Sequence, residues 1–180
     1  SRGEGDISSI PTSAVHANGC EYIHYFNIKT WVNWTTEYSG MYKSSDKGRT
    51  WTKLESVRFG GDSHFGIVSY WNHKKDGYIY MIGTQSGRGD SPYLGRFREG
   101  DIEDMSKYQY WNGSEWITGK EEVVTPLFTD RMGEMSLAWI DSIGKWVLMN
   151  MSERRAQVCL RVADSITGPW SEPKHLCYNY

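Results

Sequence analysis

Three tryptophans recur in this sequence at an almost constant interval, because Trp51, Trp111 and Trp170 lie 60 and 59 residues apart. Each closes a segment with the same order of short apolar runs, which have the length of β-strands and are separated by glycine-containing turns. Self-similarity at a fixed period constrains a fold strongly, since each repeat must pack against its neighbours in the same way. A unit of about four strands at this interval predicts blades of an all-β β-propeller, about three of which are present.

The order of the predicted strands is the same in all three repeats. They cover 10–15, 21–26 and 39–43 in the first repeat, 65–71, 78–83 and 93–97 in the second, and 135–140, 145–150 and 158–162 in the third. Helical periodicity is confined to about one turn over 102–107. The sequence therefore predicts one partial propeller domain over 1–180, with blades at 7–58, 62–125 and 132–178.

Residues 44–51 match a specific turn motif in full, the Asp box S-x-D-x-G-x-T-W, which begins at Ser44. The Asp46 carboxylate is expected to accept backbone N–H bonds within the turn, Gly48 to adopt a positive φ, and Trp51 to pack under the hairpin. Residues 163–170 have a related pattern. Because the motif is structural, Asp46 is a poor catalytic candidate.

Aromatic side chains make up 14% of the sequence, with 9 Trp and 12 Tyr. Indole and phenol rings offer flat faces on which sugar rings stack, and they also fill the space between packed sheets. The composition therefore leaves two interpretations open, carbohydrate binding and packing between blades.

Charge, hydropathy and motif content argue against several classes of function. The net charge is −2 and no basic run is present, which disfavours nucleic acid as a partner. The apolar runs fall far short of the ~20 residues of a membrane span. Histidines are scattered, and neither C-x-x-C pairs nor calcium or phosphate loops occur, so we predict no metal and no cofactor.

Cysteines and glycosylation motifs bear on the cellular compartment. Cys159 and Cys177 flank a turn at 166–169, where they are expected either to form a disulfide or to be two small buried thiols. Three N-x-S/T motifs begin at Asn33, Asn112 and Asn150, and they favour a secreted or cell-surface protein. Asn112 also precedes a glycine, as in a hairpin turn.

Several segments together resemble a known family. They are 10–13, 34–40, 76–84, 87–88, 108–113, 133–136 and 163–172. The sequence resembles a domain-of-unknown-function family of secreted five-bladed β-propellers from bacteria and fungi, some of which are endo-D-arabinanases. The resemblance implies a five-bladed propeller that hydrolyses arabinofuranose-containing polysaccharide. Family members are longer, so we expect this chain to match the three C-terminal blades of an incomplete ring, with open edges available for self-association.

Ligands of propellers bind at the central channel, where the innermost strand of each blade begins. Aligning the repeats places Ser9, His64 and Glu134 just before these strands. Glycoside hydrolysis needs two carboxyl groups about 5–9.5 Å apart. Glu134 is the first candidate and Asp62 the second. The alternatives are a buried anchor for Glu134, paired with Arg88 or Arg154, and a turn-forming role for Asp62.

Other residues are candidates for substrate binding. His64 and Arg88 are suited to sugar hydroxyls, and His16 is a weaker candidate. Trp34 and Tyr38 lie on one loop and are expected to form a stacking edge. The run 88–91 is interpreted as a turn, and Glu153 either ends a solvated hairpin or lines the channel.

Three functions remain open from the sequence. The first is a glycoside hydrolase with Glu134 and Asp62 in its site. The second is a non-catalytic carbohydrate-binding module, with a polysaccharide or glycan as its partner. The third is a structural unit that assembles through its sheet edges.

Overall fold

The computed structural model describes residues 8–32 and 34–178, which form three antiparallel β-sheets. The first sheet consists of β1 (Ser8–Ala17), β2 (Cys20–Thr30), β3 (Thr35–Ser44) and β4 (Thr52–Gly60). The second consists of β5 (Ile67–His73), β6 (Tyr78–Thr84), β7 (Tyr93–Arg98), β8 (Gln109–Trp111) and β9 (Trp116–Thr118). The third consists of β10 (Met132–Ile140), β11 (Lys145–Ser152), β12 (Gln157–Ala163) and β13 (Lys174–Tyr178).

Each sheet is a meander whose strands follow one another in chain order. The innermost strands β1, β5 and β10 lie side by side, with β5 in contact with both of the others. This arrangement confirms the predicted all-β propeller architecture. The second sheet differs from the expected four strands, because the short hairpin β8–β9 adds a fifth. The predicted helical turn corresponds to short 3₁₀ helices at Glu99–Asp101 and Met105–Lys107.

Hydrophobic clusters fill the spaces between neighbouring sheets. Tyr22 and Tyr70 belong to the cluster between the first and second sheets. Tyr80 and Trp146 belong to the cluster between the second and third sheets, with ring centroids 5.3 Å apart. Part of the high aromatic content therefore packs one blade against the next.

Hydroxyl groups fix the register between successive innermost strands. Tyr70 N in β5 donates a hydrogen bond of 3.1 Å to Ser13 Oγ in β1. One sheet further on, Leu137 N in β10 donates one of 3.0 Å to Ser69 Oγ in β5. A serine of the first sheet and a serine of the second sheet thus each accept a main-chain N–H from the following sheet, so that both pairs of neighbouring blades are joined by the same contact.

The turn between β3 and β4 has the hydrogen bonds that its motif predicts. The Asp46 carboxylate accepts the backbone N–H groups of Arg49 and Thr50 at 3.0 and 2.9 Å. Gly48 has a φ of +83°, and Trp51 Nε1 donates to the Gly48 carbonyl at 3.1 Å. The acceptor bonds lower the pKa of Asp46 to about 2. Its carboxylate is thus committed to the turn.

The structure contradicts the expected disulfide, since Cys159 and Cys177 are both free thiols. A register shift in the β12–β13 pair places Cys177 opposite Val158, and Cys159 opposite His175. Side chains alternate between the two faces of a strand, so the two thiols point to opposite faces of the sheet. Cys159 is buried and Cys177 is exposed, which also corrects the alternative of two buried thiols.

The asparagines of the three N-x-S/T motifs differ in their surroundings in the structure. Asn150 is buried, and its side-chain oxygen accepts a hydrogen bond from Arg161, so the prediction of a glycan there is wrong. Asn112 accepts backbone N–H bonds from Ser114 and Glu115, as in the hairpin turn expected from the sequence. Asn33 lies outside the described residues.

A fully buried histidine makes the stability of the fold sensitive to pH. His24 Nδ1 lies 2.9 Å from the Tyr70 hydroxyl. Burial lowers the pKa of His24 from 6.5 to about 4, only partly opposed by hydrogen bonds to backbone carbonyls. The unfolded chain therefore binds a proton more tightly than the folded one. The stability linked to this group is fully present above pH 6.5 and is lost as the pH falls towards 4.

Lowering the pH from 7 to 5 is expected to cost the wild type about 2 kcal/mol of unfolding free energy through His24. The substitution His24→Gln removes this titration, and the difference between the two pH values should shrink by that amount. Urea unfolding at both pH values measures it. The matched control is His175→Gln at an exposed histidine on β13 that has no carboxylate partner among the described residues, and it should keep the wild-type difference. An unchanged pH dependence in His24→Gln would contradict the assignment.

Candidate functional site

Three loops and the first residues of β10 meet where the innermost strands begin. Arg88, on the β6–β7 loop, donates a hydrogen bond of 2.8 Å from Nη2 to Glu134 Oε1. Its other terminal nitrogen lies 3.4 Å from Glu153 Oε1, on the β11–β12 turn. One planar guanidinium therefore bridges two carboxylates. These ion pairs raise the pKa of Arg88, which stays charged.

Two glycines permit this close approach of the loops. A Cβ atom at Gly133 would lie 3.2 Å from Arg88 Cγ, tighter than ordinary van der Waals contact. A Cβ at Gly87 would lie 3.2 Å from Trp34 Cδ1, and the Gly87 φ of +100° is unfavourable for any other residue. The sequence Gly87–Arg88 therefore matches a backbone requirement of the site.

Trp34, on the β2–β3 loop, lines three adjoining cavities. The largest has a volume of about 440 Å³ and is lined by Lys29, Trp34, Thr35, Thr36, Glu37, Gly61, Asp62, Gln85 and Ser86. The second, of about 330 Å³, is lined by Trp34, Gly87, Arg88, Arg131 and Glu153. The third, of about 110 Å³, is lined by Ile10, Pro11, Thr12, Phe26, Trp34, Ile67, Glu134 and Met135. Trp34 thus lines both the cavities beside the arginine-bridged carboxylates and the polar cavity around Asp62.

The indole of Trp34 is available to a ligand. Its exposed fraction is 36%, and the neighbouring Trp31 is exposed to 48%. The two rings meet edge to face, with centroids 5.2 Å apart. Such an arrangement braces one ring while leaving part of it open to solvent, as a platform for a sugar ring would require.

The two predicted catalytic carboxylates do not line the same cavity. Glu134 lines the smallest cavity and Asp62 the largest, and Trp34 is common to both. Glu134 has the ion-pair partner Arg88 that one sequence interpretation proposed, yet its side chain is 62% exposed, so it is no buried anchor. The carboxylate that lies with Glu134 is Glu153, which is 35% exposed.

His64 is held away from solvent on one side by two contacts. Its Nδ1 lies 2.6 Å from Asp90 Oδ2, and its ring stacks on Tyr93 with centroids 3.7 Å apart. Asp90 also accepts the backbone N–H of Gln85, a residue that lines the largest cavity. Asp90 therefore couples the orientation of His64 to the loop that forms the cavity wall.

Glu121 is a further carboxyl group close to this region. Ser63 Oγ donates a hydrogen bond of 2.5 Å to its Oε1. Burial raises the pKa of Glu121, and the hydrogen bond from Ser63 partly offsets the effect. Glu121 is not among the residues that line the three cavities around Trp34. It stabilises the loop that presents Asp62.

Two predicted substrate-binding residues lie away from the site. Tyr38 is only 8% exposed, and the Arg58 guanidinium covers its ring at 3.6 Å from the centroid. His16 lies near the end of β1, where it pairs with Glu21 at 2.7 Å beside the β1–β2 turn. The candidate site is at the start of β1, and neither residue joins it: Tyr38 faces protein, and His16 occupies the opposite end of its strand.

Residues 8–32 and 34–178 contain neither a metal-binding cluster nor a membrane-spanning helix. In this part of the chain, no group of three or more His, Cys, Asp or Glu side chains is arranged to hold a metal ion. No helix there has the length and apolar character needed to cross a membrane.

Comparison with known proteins extends these observations. Notoamide biosynthesis cluster protein J of Aspergillus sp. (strain MF297-2) is 28% identical over 181 residues, which cover 96% of this chain and 48% of the relative. The chain thus spans about half the length of the curated relative that it matches.

Solved structures of glycoside hydrolases share the fold. The exo-β-1,3-galactanase of Phanerochaete chrysosporium superposes with a TM-score of 0.63 at 11% identity, covering 92% of this chain and 35% of that one. A family 117 glycoside hydrolase of Zobellia galactanivorans gives a TM-score of 0.59 at 20% identity, covering 98% and 58%. At these identities the structures are similar to this chain in fold alone.

The family described as "Domain of unknown function (DUF4185)" matches residues 1–179, and the chain belongs to this family.

Proposed function

We propose that the site formed by Glu134, Glu153, Arg88 and Trp34 belongs to a glycoside hydrolase that acts on an arabinofuranose-containing polysaccharide. The observation that carries the proposal is the single guanidinium that contacts two carboxylates beside an exposed indole. Structural neighbours that are glycoside hydrolases support the reaction class. The sequence resemblance to a family with endo-D-arabinanases supports the sugar.

The geometry suits acid–base cleavage of a glycosidic bond. Because one guanidinium contacts both groups, the carboxyls of Glu134 and Glu153 are within the ~9.5 Å that separates the catalytic pair of known glycosidases. One carboxyl donates a proton to the leaving oxygen, and the other attacks the anomeric carbon or removes a proton from the attacking water. Arg88 positions both. Asp62, across Trp34, is assigned to sugar hydroxyls in the adjoining cavity.

A secreted or cell-surface location follows from this substrate. Polysaccharides are hydrolysed outside the cell, so an enzyme that acts on the proposed substrate must be exported. Because the cysteines are free thiols, they do not bear on whether the compartment is oxidising.

The proposed function is tested by assaying the natural polypeptide on arabinan, galactan and xylan, with new reducing ends as the readout. We expect hydrolysis of arabinan above the other two. Trp34→Ala should raise KM by roughly two- to tenfold, because a stacked ring contributes about 0.5–1.5 kcal/mol. The matched control is Trp51→Ala, since Trp51 is 38% exposed but lies in the β3–β4 turn. Hydrolysis of galactan or xylan alone would reject the arabinofuranose assignment.

A non-catalytic carbohydrate-binding module is the second candidate, favoured by the exposed pair Trp31 and Trp34. It predicts quenching of tryptophan fluorescence by an arabino-oligosaccharide, with no reducing ends released from any polysaccharide. The same assay thus distinguishes the two functions.

A further inference from the structure

Asp130 carries a buried charge that the proposed reaction does not use. It lies shortly before β10, and its side chain is only 1% exposed. Oδ2 accepts a hydrogen bond of 2.9 Å from Arg161 Nη2, and Oδ1 accepts one of 2.7 Å from Ser152 Oγ. The backbone N–H of Arg131 also donates to Oδ1, at 2.8 Å. Both carboxylate oxygens are therefore committed to protein groups, so Asp130 is not available to a ligand.

One of these partners adjoins Glu153, the second carboxylate of the candidate site. Ser152 is the last residue of β11, and Glu153 follows it in the β11–β12 turn. The backbone N–H of Glu153 donates a hydrogen bond of 2.8 Å to the Arg131 carbonyl. Asp130 thus holds the residue before Glu153 through its side chain, and the residue after Asp130 holds Glu153 through its backbone.

The loop that carries Arg88 is bonded to the same short segment. Ser91 Oγ donates a hydrogen bond of 3.1 Å to the Asp130 carbonyl. Met132 N donates one of 2.9 Å to the carbonyl of Asp90, which is close to Arg88 on the β6–β7 loop. The guanidinium and its second carboxylate are thus both anchored to the three residues from Asp130 to Met132. The distance between them depends on how this segment is held.

The ion pair of Asp130 contributes direction more than stability. Burying two charges costs about as much as their attraction returns, so apolar side chains of similar volume could fill the same space without a large loss. Apolar side chains cannot fix angles as hydrogen bonds do. Arg161 is itself held, because its Nη1 donates to Asn150 Oδ1 at 3.0 Å and its guanidinium lies 4.2 Å from the ring centroid of Phe128. The pair therefore orients the segment that holds Glu153.

We propose that Asp130 is a positioning residue that sets the distance between Glu153 and Arg88. The inference rests on the proposed function, in which Glu134 and Glu153 act on the glycosidic bond. Arg88 lies 2.8 Å from Glu134 and 3.4 Å from Glu153, so the contact with Glu153 is at the limit of a hydrogen bond. A displacement of about 1 Å would break it, and a shift of that size can lower the rate of an enzyme by roughly 10²-fold.

The test compares activity with thermal stability in two variants of the natural polypeptide. Asp130→Ala removes the carboxylate, whereas Asp130→Leu combined with Arg161→Met removes both charges and should melt at least about 5 °C higher. Assayed on arabinan well below both melting temperatures, each should have a kcat roughly 10²-fold below wild type, with KM within about twofold. A purely structural role makes activity follow stability. A wild-type kcat in the double variant would therefore overturn the proposal.

Two further variants complete the comparison. Lys43→Met combined with Glu103→Leu removes a half-buried ion pair near the β1–β2 turn, away from the site, and should keep the wild-type kcat. Ser152→Ala keeps the buried ion pair and removes one link to the Glu153 turn, so it remains informative where the Asp130 variants do not fold. It should lower kcat roughly tenfold, with a melting temperature within about 5 °C of wild type. A wild-type kcat in Ser152→Ala would contradict the proposal.

Crystal structures distinguish this inference from the proposed function. In the double variant and in Ser152→Ala, Glu153 should lie beyond hydrogen-bond distance of Arg88, while Arg88 still contacts Glu134. An unmoved Glu153 would overturn the positioning role, whatever the activity. A displaced Glu153 in a protein whose wild type hydrolyses no polysaccharide would reject the proposed function and support the positioning role of Asp130.

Discussion

Replacing Glu134 with glutamine is expected to lower kcat for polysaccharide hydrolysis by roughly 10²–10⁴-fold, because the reaction loses a carboxyl group that transfers a proton or attacks carbon. The amide oxygen of glutamine still accepts the hydrogen bond from Arg88, so the loop geometry is retained. KM should therefore change little. Initial rates of the natural polypeptide on arabinan measure both constants.

Two matched variants make this result specific. Glu153→Gln should reduce kcat to a similar extent, because Glu153 is the second carboxylate on Arg88. Glu172→Gln changes an exposed carboxylate on the β12–β13 connection and should keep the wild-type rate. A Glu134→Gln variant with wild-type kcat would remove Glu134 from the reaction. The second carboxylate would then have to be sought around Asp62.

Breaking the buried ion pair between Asp130 and Arg161 is expected to destabilise the fold by about 3–5 kcal/mol. Arg161 Nη2 donates to Asp130 Oδ2 at 2.9 Å, and the two side chains are only 4% and 1% exposed. Arg161 Nη1 donates to Asn150, and Ser152 Oγ donates to Asp130. The substitution Asp130→Ala leaves the guanidinium charged, buried and without its carboxylate. Urea unfolding measures the loss.

A double variant separates the cost of the unpaired charge from the value of the pair. Asp130→Leu combined with Arg161→Met removes both charges, and it should be more stable than Asp130→Ala alone. Glu55→Gln, at a partly exposed ion pair with Lys53, should cost less than about 1 kcal/mol. A loss below 1 kcal/mol in Asp130→Ala would show that water or another residue compensates Arg161.

The strands could be predicted because their signals are local. Apolar runs such as Tyr78–Thr84, ended by glycine turns, carry their own periodicity, and a repeat interval near 60 residues sets the number of sheets. The sequence does not predict β8 and β9 as a pair of strands, although it does predict the hairpin turn at Asn112–Gly113. Each of its strands has only three residues, too few to show alternation.

The contacts between residues of the candidate site are harder to predict from the sequence than the strands are. Glu134 is predicted from its repeat position, and Arg88 as a residue for sugar hydroxyls or an ion-pair partner of Glu134, but the contact of Arg88 with Glu153 joins residues 65 apart in sequence. Asp90 lies in a turn-forming run, where no local pattern shows that its carboxylate binds His64. The predicted pairing of Cys159 with Cys177 is wrong for a related reason. One register shift in the β12–β13 pair moves the Cys177 side chain to the other face of the sheet.

The most direct test of the site is a crystal structure of the natural polypeptide carrying Glu134→Gln, bound to an arabino-oligosaccharide. The predicted complex has one furanose ring against Trp34 and a glycosidic oxygen within hydrogen-bond distance of residue 134, with Glu153 on the other side of the sugar. An oligosaccharide that binds elsewhere on the propeller, with Arg88 still bridging residues 134 and 153 and no sugar beside them, would contradict the proposed active site.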